Sequence, residues 1–165
     1  MPDPAVIADI RAMVDAPKFW VSGPEMAWVD AGGRPRGFAC RERLALEDGT
    51  MPAGLFVQCY FKPTHVPGNR DKLSIGLIYN GHRVYGIDDN GPSGHFNLVG
   101  IGRPHFGQRV GHPQVHTVSD DGIDVYAEPL PVATFDVYWV RFLLTTNIRN
   151  APPFRLPTQQ LGLPV

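Results

Sequence analysis

An Asn-Gly pair at positions 80 and 81 constrains the fold of this chain more than any other feature. Before it, Leu73, Ile75, Leu77 and Tyr79 recur at every second position, which is typical of a strand with one buried face. Asn-Gly tolerates the positive φ angles of a type I′ turn, the tightest connection between two antiparallel strands. The sequence therefore predicts a β-hairpin whose second strand covers residues 83–88.

Turn-forming residues separate further short apolar runs along most of the chain. An Asp-Gly pair at positions 121 and 122 predicts a second hairpin, between residues 115–118 and 123–127. The 18 glycines and 17 prolines are scattered rather than clustered, so they indicate many tight turns and not disorder. Between the two hairpins, residues 89–103 are expected to form a glycine-rich loop.

Helices are predicted at both ends of the strand-rich region. Asp3 and Pro4 are an N-cap and first-turn pair, and the helix that they begin is expected to stop at Pro17. Residues 135–146 have strand propensity at Val137–Val140, yet their apolar positions also fit one face of a helix. We favour the helix because the pattern continues beyond the length of a strand. Thr134 would cap its start, and Asn147 would end it in the left-handed region.

These elements predict an α+β fold in a single domain over residues 1–150. We expect an antiparallel β meander of six to eight strands, with an N-terminal helix and a C-terminal helix packed on one face. The remaining residues, 151–165, are expected to form an extended C-terminal tail.

The charge balance argues against partners that bind through bulk charge. The 165 residues carry 15 basic and 16 acidic side chains, for a net charge of −1, although a local basic patch is compatible with this balance. The sequence contains no apolar run of 18 residues and no leader-like start. We therefore expect a cytoplasmic protein with no membrane partner.

Four of the six histidines, His95, His105, His112 and His116, fall within 22 residues. Histidine is both a metal ligand and the side chain best suited to proton transfer near neutral pH. His112 and His116 have a spacing that would converge on a helix, but Pro113 and the β-branched residues that follow favour a strand. On a strand the two backbones lie about 13 Å apart, so this pair is a poor chelate by itself. No cofactor is expected.

The same region holds the groups that metal-free cleavage of a phosphodiester requires. Such a reaction needs a base, an acid and a cation beside the phosphate. We expect a pocket that binds or cleaves a phosphate-containing ligand, with RNA as the favoured one. The candidate catalytic residues are His95, His116, Tyr126 and Glu128, and the candidate ligand-binding residues are Asn97, Arg103 and Arg109. In the second hairpin, His116 faces a residue between Val125 and Ala127, so Tyr126 is either its partner or its neighbour on the opposite face.

Two alternatives to this hypothesis remain open. In the first, the histidines only support the loops, and the protein is a non-catalytic interaction module, such as a phage or defence-associated inhibitor, whose partner is another protein. In the second, His95, His105 and His116 are brought together by loop folding and bind zinc. The sequence does not indicate an oligomeric state.

Several short motifs also follow one another in a recognisable order between residues 72 and 150. They are Val84-Tyr85-Gly86-Ile87-Asp88, His95-x-Asn97, Pro113-x-x-His116, Tyr126-Ala127-Glu128-Pro129-Leu130 and Asn147-Ile148. This order resembles a family of short, uncharacterised bacterial and phage-associated α+β proteins, a domain of unknown function. The resemblance implies the α+β fold, a helix over residues 135–146, and a joint role for His95, Asn97 and His116. It implies no particular reaction.

Overall fold

The computed structural model describes residues 1–157, except for the side chains of Asp124 and Val125. Two helices and eleven strands occur in this part of the chain. In chain order they are α1 (Pro4–Asp15), β1 (Lys18–Trp20), β2 (Val29–Gly32), β3 (Gly37–Leu46), β4 (Leu55–Lys62), β5 (Lys72–Tyr79), β6 (His82–Asp89), β7 (Gly94–Phe96), β8 (Arg109–Gly111), β9 (Gln114–Ser119), β10 (Gly122–Pro129), α2 (Phe135–Thr145) and β11 (Ile148–Arg149).

Nine of the strands form one mostly antiparallel sheet in the order β10-β9-β6-β5-β4-β3-β1-β11, with β2 paired to β3. The α+β class and the two terminal helices are confirmed, but the predicted six to eight strands were too few. The additional elements are short: β7 and β8 form a separate pair, and β11 pairs with β1 in parallel over two residues. Strands of two or three residues leave no readable alternation, so only their partners reveal them.

The hairpin at Asn80 and Gly81 forms as predicted. Both residues have positive φ angles, 49° and 83°, and they connect β5 to β6. Every second residue of β5, namely Leu73, Ile75 and Leu77, is almost fully buried. The second hairpin also forms, but its turn comprises Asp120 and Asp121, one residue earlier than the Asp-Gly pair suggests.

Both helices cover the same face of the sheet. The side chain of Asp3 caps α1 by accepting a hydrogen bond from the Ala5 amide at 2.8 Å. On α2, Phe142 packs against Tyr85 of β6 with ring centroids 6.0 Å apart. Asn147 ends α2 with a φ of 52°, as predicted, whereas the Thr134 side chain makes no capping hydrogen bond.

The segment that follows β11 lies on the helical side of the molecule. The indole nitrogen of Trp139 donates to the Pro152 carbonyl at 2.8 Å, and that of Trp28 donates to the Arg155 carbonyl at 2.9 Å. Phe154 packs among the aromatic rings of the core. Residues 158–165 of the predicted tail lie outside the described residues. Within the described chain, no helix has the length and apolar character of a membrane span.

Candidate functional site

His116 lies in the middle of β9, on the sheet face opposite the helices. Its direct partners are Gly86 of β6 and Ala127 of β10, and residues directly opposite each other in a sheet share a face. Both directly paired residues are small, so neither presents a bulky side chain of its own beside the imidazole. Only 7 % of His116 is exposed. A histidine buried to this degree needs polar partners, and β6 supplies one.

Asp88 is that partner, and it organises a buried polar cluster. Its Oδ2 lies 3.0 Å from Nε2 of His116. Arg83 binds both carboxylate oxygens, with Nη1 at 2.8 Å and Nη2 at 2.6 Å, and the Ser74 hydroxyl donates to Oδ1 at 2.6 Å. Burial by itself raises the pKa of the Asp88 carboxyl, but the hydrogen bonds from His116, Arg83 and Ser74 and the charge of Arg83 outweigh it. They hold the pKa of Asp88 well below its usual range, so Asp88 is ionised.

The ionised Asp88 determines which nitrogen of His116 carries the proton. A carboxylate only accepts hydrogen bonds, so the Nε2 atom facing it must be the donor. The Gln114 amide nitrogen lies 2.8 Å from the same Nε2, while the Gln114 amide oxygen has no partner. Rotating that amide by 180° presents its oxygen to Nε2 and removes the conflict between two donors. The neutral ring then has its lone pair on Nδ1, which is buried and hydrogen-bonded to no described residue.

His95 is the side chain that faces His116. It occupies the centre of β7, opposite Val110 of β8, and it is half-buried. The His95 and His116 ring centroids are 5.5 Å apart, with the rings at 68° to each other. The pairing of β7 with β8 places His95 over β9. The structure therefore brings together the two histidines that the sequence analysis singled out.

Arg83 reaches Asp88 by lying flat on the sheet over two glycines. A Cβ on Gly86 would lie 2.3 Å from the Arg83 guanidinium carbon, and a Cβ on Gly76 would lie 2.9 Å from Arg83 Nε. Real Cβ atoms do not approach this closely, so these two positions need glycine if Arg83 is to keep its place.

Tyr126, Glu128 and Arg103 lie together on the other face of the sheet. Tyr126 pairs with Thr117, not with His116, and is fully buried. The Arg103 guanidinium lies 3.7 Å from the centroid of the Tyr126 ring, and its Nη2 is 2.9 Å from Glu128 Oε1. Of the two registers considered from sequence, the one that separates Tyr126 from His116 is thus observed. The sheet itself stands between these three residues and the histidine pair.

Asn97 makes its contacts within the chain. Its side-chain oxygen accepts from the Ala127 amide at 2.8 Å, and its side-chain nitrogen donates to the Ala127 and His105 carbonyls at 2.9 Å each. Ala127 belongs to β10, an edge strand, so the Asn97 amide covers backbone groups that a neighbouring strand would otherwise pair. Asn97 thereby anchors the loop over residues 97–108 to the sheet.

The remaining predicted residues are distributed around the site. Arg109 is exposed on β8, directly opposite Phe96, and its Nη1 donates to the Gly94 carbonyl at 3.1 Å. Its side chain therefore lies on the face of the β7–β8 pair opposite His95. His112 lies 3.3 Å from the Asp88 carbonyl oxygen through Nδ1, and the His105 amide donates to the Tyr126 hydroxyl at 3.2 Å. No three His, Cys, Asp or Glu side chains within the described chain are grouped so as to hold a metal ion.

Sequence reasoning missed Asp88, Arg83, Ser74 and Gln114. The Asn-Gly hairpin was only a partial signal, because a register shift between Leu77 and Ile78 moves the pairing by one residue before Ser74 meets Asp88. The pairing of β6 with β9, which brings Asp88 beside His116, spans a long loop and leaves no local pattern.

Comparisons with protein-family models, curated proteins and solved structures give no match for this chain.

Proposed function

We propose that His116, His95 and Asp88 form a metal-independent acid–base site that cleaves a phosphate-containing ligand, with RNA as the favoured substrate. The observation that carries the proposal is the pair of histidine rings 5.5 Å apart, in which the buried Nδ1 of His116 has no hydrogen-bond partner among the described residues. Buried polar atoms in folded proteins are nearly always paired. A lone pair left without a protein partner, on a ring oriented by a carboxylate, has the arrangement of a general base.

Two histidines suffice for the two proton transfers of RNA cleavage. Nδ1 of His116 is buried in this structure, so the proposed reaction requires a local opening around the ring that admits the ribose. Nδ1 then accepts the proton of the ribose 2′-hydroxyl, whose oxygen attacks the adjacent phosphorus. The bond from phosphorus to the 5′-oxygen breaks, and protonated His95 donates its proton to that oxygen. The products are a 2′,3′-cyclic phosphate and a free 5′-hydroxyl. Asp88 holds the His116 ring and stabilises the positive charge that develops on it.

The predicted cation Arg109 does not lie beside the histidine pair. It pairs with Phe96, and its side chain lies against Gly94, so it is on the face of the β7–β8 pair opposite His95. Arg109 therefore has no assigned phosphate contact in this proposal. Arg103, the other predicted cation, is engaged by Glu128 on the opposite face and has no role in this proposal.

The test is RNA cleavage in excess EDTA. A fluorescently labelled oligouridine should be cut by the wild-type protein to a product ending in a 2′,3′-cyclic phosphate, whereas the DNA counterpart should stay intact. His95→Ala is the informative variant because His95 is half-buried and is expected to fold normally. We expect it to lose at least 100-fold in rate, given that general acid–base catalysis contributes about 10²–10⁴-fold.

The matched control is His65→Ala, which removes an exposed histidine from the loop between β4 and β5. It should cleave at the wild-type rate. Equal rates in His95→Ala and the wild type would refute the assignment of the acid, and absence of any cleavage by the wild type would refute the reaction.

A second candidate, a protein-interaction module, is favoured by a different observation. The loop over residues 97–108 exposes Leu98 by 77 %, Ile101 by 71 % and Phe106 by 42 %. Hydrogen bonds hold this loop against the sheet. The Asn97 side chain donates to the Ala127 carbonyl, and the Asp121 carboxylate accepts from the Gly100 and Ile101 amides. Large apolar side chains held rigidly at a surface are typical of partner binding sites. A Leu98→Ser, Ile101→Ser variant should lose partner binding and keep cleavage.

A further inference from the structure

The sheet face that carries His116 extends beyond it as an exposed surface on β3, β4 and β5. Residues opposite each other in the pairing register share a face, and Arg41 faces Gln58, which faces Gly76, which faces Gly86 and then His116. The neighbouring row runs from Tyr60 through Ser74 to Asp88. We call this surface the open face. Its principal side chains are Arg41, Arg43, Gln58, Tyr60, Lys72 and Arg83.

The open face is strongly cationic although the protein as a whole is nearly neutral. On β3 to β6 the register places Arg41, Arg43, Lys62, Lys72 and Arg83 on this side of the sheet. The same register places one carboxylate there, Asp88, which is buried and paired with Arg83. Glu42 and Asp89 lie on the opposite face, since they pair with Val57 and Leu73. The exposed cations therefore form one positively charged surface.

The charge distribution matches a polyanion, and the aromatic groups favour one whose flat rings are accessible. Tyr60 is 37 % exposed, and its ring lies over the backbone of Gly37, where a Cβ would come within 2.3 Å of the Tyr60 hydroxyl oxygen. The Arg41 guanidinium lies 3.8 Å from the centroid of the Phe56 ring, so it is also held against the surface. Rings and guanidinium planes lying along a sheet are the groups on which unpaired bases stack.

A depression of about 140 Å³ separates Tyr60 from Arg83. It is also lined by Gln58, Ser74, Gly76 and Ile78. Its floor is low because Gly76 has no side chain, and its far wall is the guanidinium that binds Asp88. The depression is of the size of a single flat heterocycle and has an amide, two hydroxyls and a guanidinium at its edges. It leads directly to the Asp88–His116 pair through the row that joins Ser74 to Asp88.

We propose that the open face binds single-stranded nucleic acid, with phosphates on Arg41, Arg43 and Lys72 and a base on Tyr60, and delivers the strand to His116 and His95. This inference rests on the proposed function, which it deepens by naming the substrate as single-stranded. A duplex keeps its bases stacked inside, so Tyr60 could not contact them. Anionic lipid headgroups would use the arginines and lysines but would not need the depression.

Binding is measured separately from cleavage by using a probe that cannot be cut. The probe is a fluorescein-labelled 2′-O-methyl oligouridine of 12 nucleotides, which lacks the attacking hydroxyl, and the readout is fluorescence anisotropy between 50 and 200 mM KCl. The Arg41→Gln, Lys72→Gln double variant should bind at least tenfold more weakly at 50 mM KCl. Its slope of log K against log salt should fall by about 0.7 for each phosphate contact removed. Tyr60→Ser should weaken binding by at least fivefold with the salt slope unchanged, because stacking does not release counterions.

The matched control is Arg141→Gln, which removes an exposed cation from α2 on the other side of the sheet and should bind as the wild type does. An equal loss in this control, or undiminished binding in the double variant, would overturn the proposal. So would equal affinity for a 12-base-pair duplex, or preferential binding to phosphatidylserine vesicles. Wild-type protein that binds the probe without cleaving RNA would overturn the catalytic proposal and support single-strand binding by the open face. If the open-face variants cleaved RNA at the wild-type rate, the catalytic proposal would be supported and the open-face proposal would be overturned.

Discussion

The carboxylate of Asp88 lies 3.0 Å from Nε2 of His116, and this single contact assigns a chemical state to the ring. Because the carboxylate accepts the Nε2 proton, the lone pair of the neutral imidazole is on Nδ1, and the His95 ring lies 5.5 Å from the His116 ring between centroids. Arg83 and Ser74 keep the carboxylate ionised. The orientation of His116 thus depends on residues from β5 and β6, and it is sensitive to changes in any of them.

Asp88→Asn should destabilise the fold by about 3–5 kcal/mol at pH 7, because it leaves the Arg83 charge without its buried partner. The pKa of Asp88 is lowered in the folded state, so its stabilising contribution is present above about pH 4 and is lost as the pH falls through the lower, folded-state pKa. The difference between wild type and variant should therefore shrink in acid. Urea denaturation from pH 2.5 to pH 7 measures this.

The control for Asp88 is Asp120→Asn, which breaks an exposed ion pair with Arg11 and should cost less than about 1 kcal/mol. If Asp88→Asn were no more destabilising than this control at pH 7, Asp88 would not organise the cluster.

Gly86→Ala should act through Arg83. The added Cβ would overlap the guanidinium, so Arg83 must move away from Asp88. We expect Gly86→Ala and Arg83→Gln to have similar costs, and the double variant to be little worse than Arg83→Gln alone, since contacting residues are not additive. Gly111→Ala, at a site where a Cβ meets nothing within 4 Å, should stay within about 0.5 kcal/mol of the wild type. The free energy of unfolding is measured by thermal and urea denaturation. If the losses of Gly86→Ala and Arg83→Gln added up in the double variant, this mechanism would be contradicted.

Asn97→Ala should loosen the loop over residues 97–108. It removes three hydrogen bonds and leaves buried amide and carbonyl groups of Ala127 unpaired, at about 1–3 kcal/mol for each such group. Hydrogen exchange should accelerate at the amides of Ala127 and Gly107, while those of β5 keep their protection in the native state. Asn69→Ala, at an exposed position, serves as the control. Unchanged exchange at Ala127 would show that Asn97 does not secure the edge strand.

Lys18→Met should change how stability depends on alkaline pH. Lys18 is fully buried, and its ammonium donates to the carbonyls of Met13, Val14 and Ala16 at the end of α1. Burial lowers the pKa of Lys18 to about 8, and the charge of Asp15 opposes this only in part. The unfolded chain then holds more protons between pH 8 and pH 10.5, so this group makes the fold more stable as the pH rises through that window. The methionine variant should lack that rise in chemical denaturation, and a parallel rise in both proteins would rule out Lys18 as its source.

Local patterns were sufficient for much of the fold. The turn at Asn80 and Gly81, the cap at Asp3 and the left-handed end of α2 at Asn147 are each formed by residues adjacent in sequence. The helix over residues 135–145 also follows from its own spacing. Lys18, in contrast, gave no signal, because a lysine after a helix is ordinarily exposed and only the packing of β1 buries it.

Local sequence patterns could not predict half of the candidate site. The sequence by itself determined that His95 and His116 lie near a glycine-rich loop, and that His116 is on a strand with Tyr126 opposite or beside it. Only the tertiary structure decided that Ala127 faces His116, which sends Tyr126 and Glu128 to the other side of the sheet. It also decided that β6 pairs with β9 and so brings Asp88 to the ring. The physical reason is that side-chain faces alternate residue by residue, so a shift of one residue in a long-range pairing reverses every contact, and no neighbouring residue records that register.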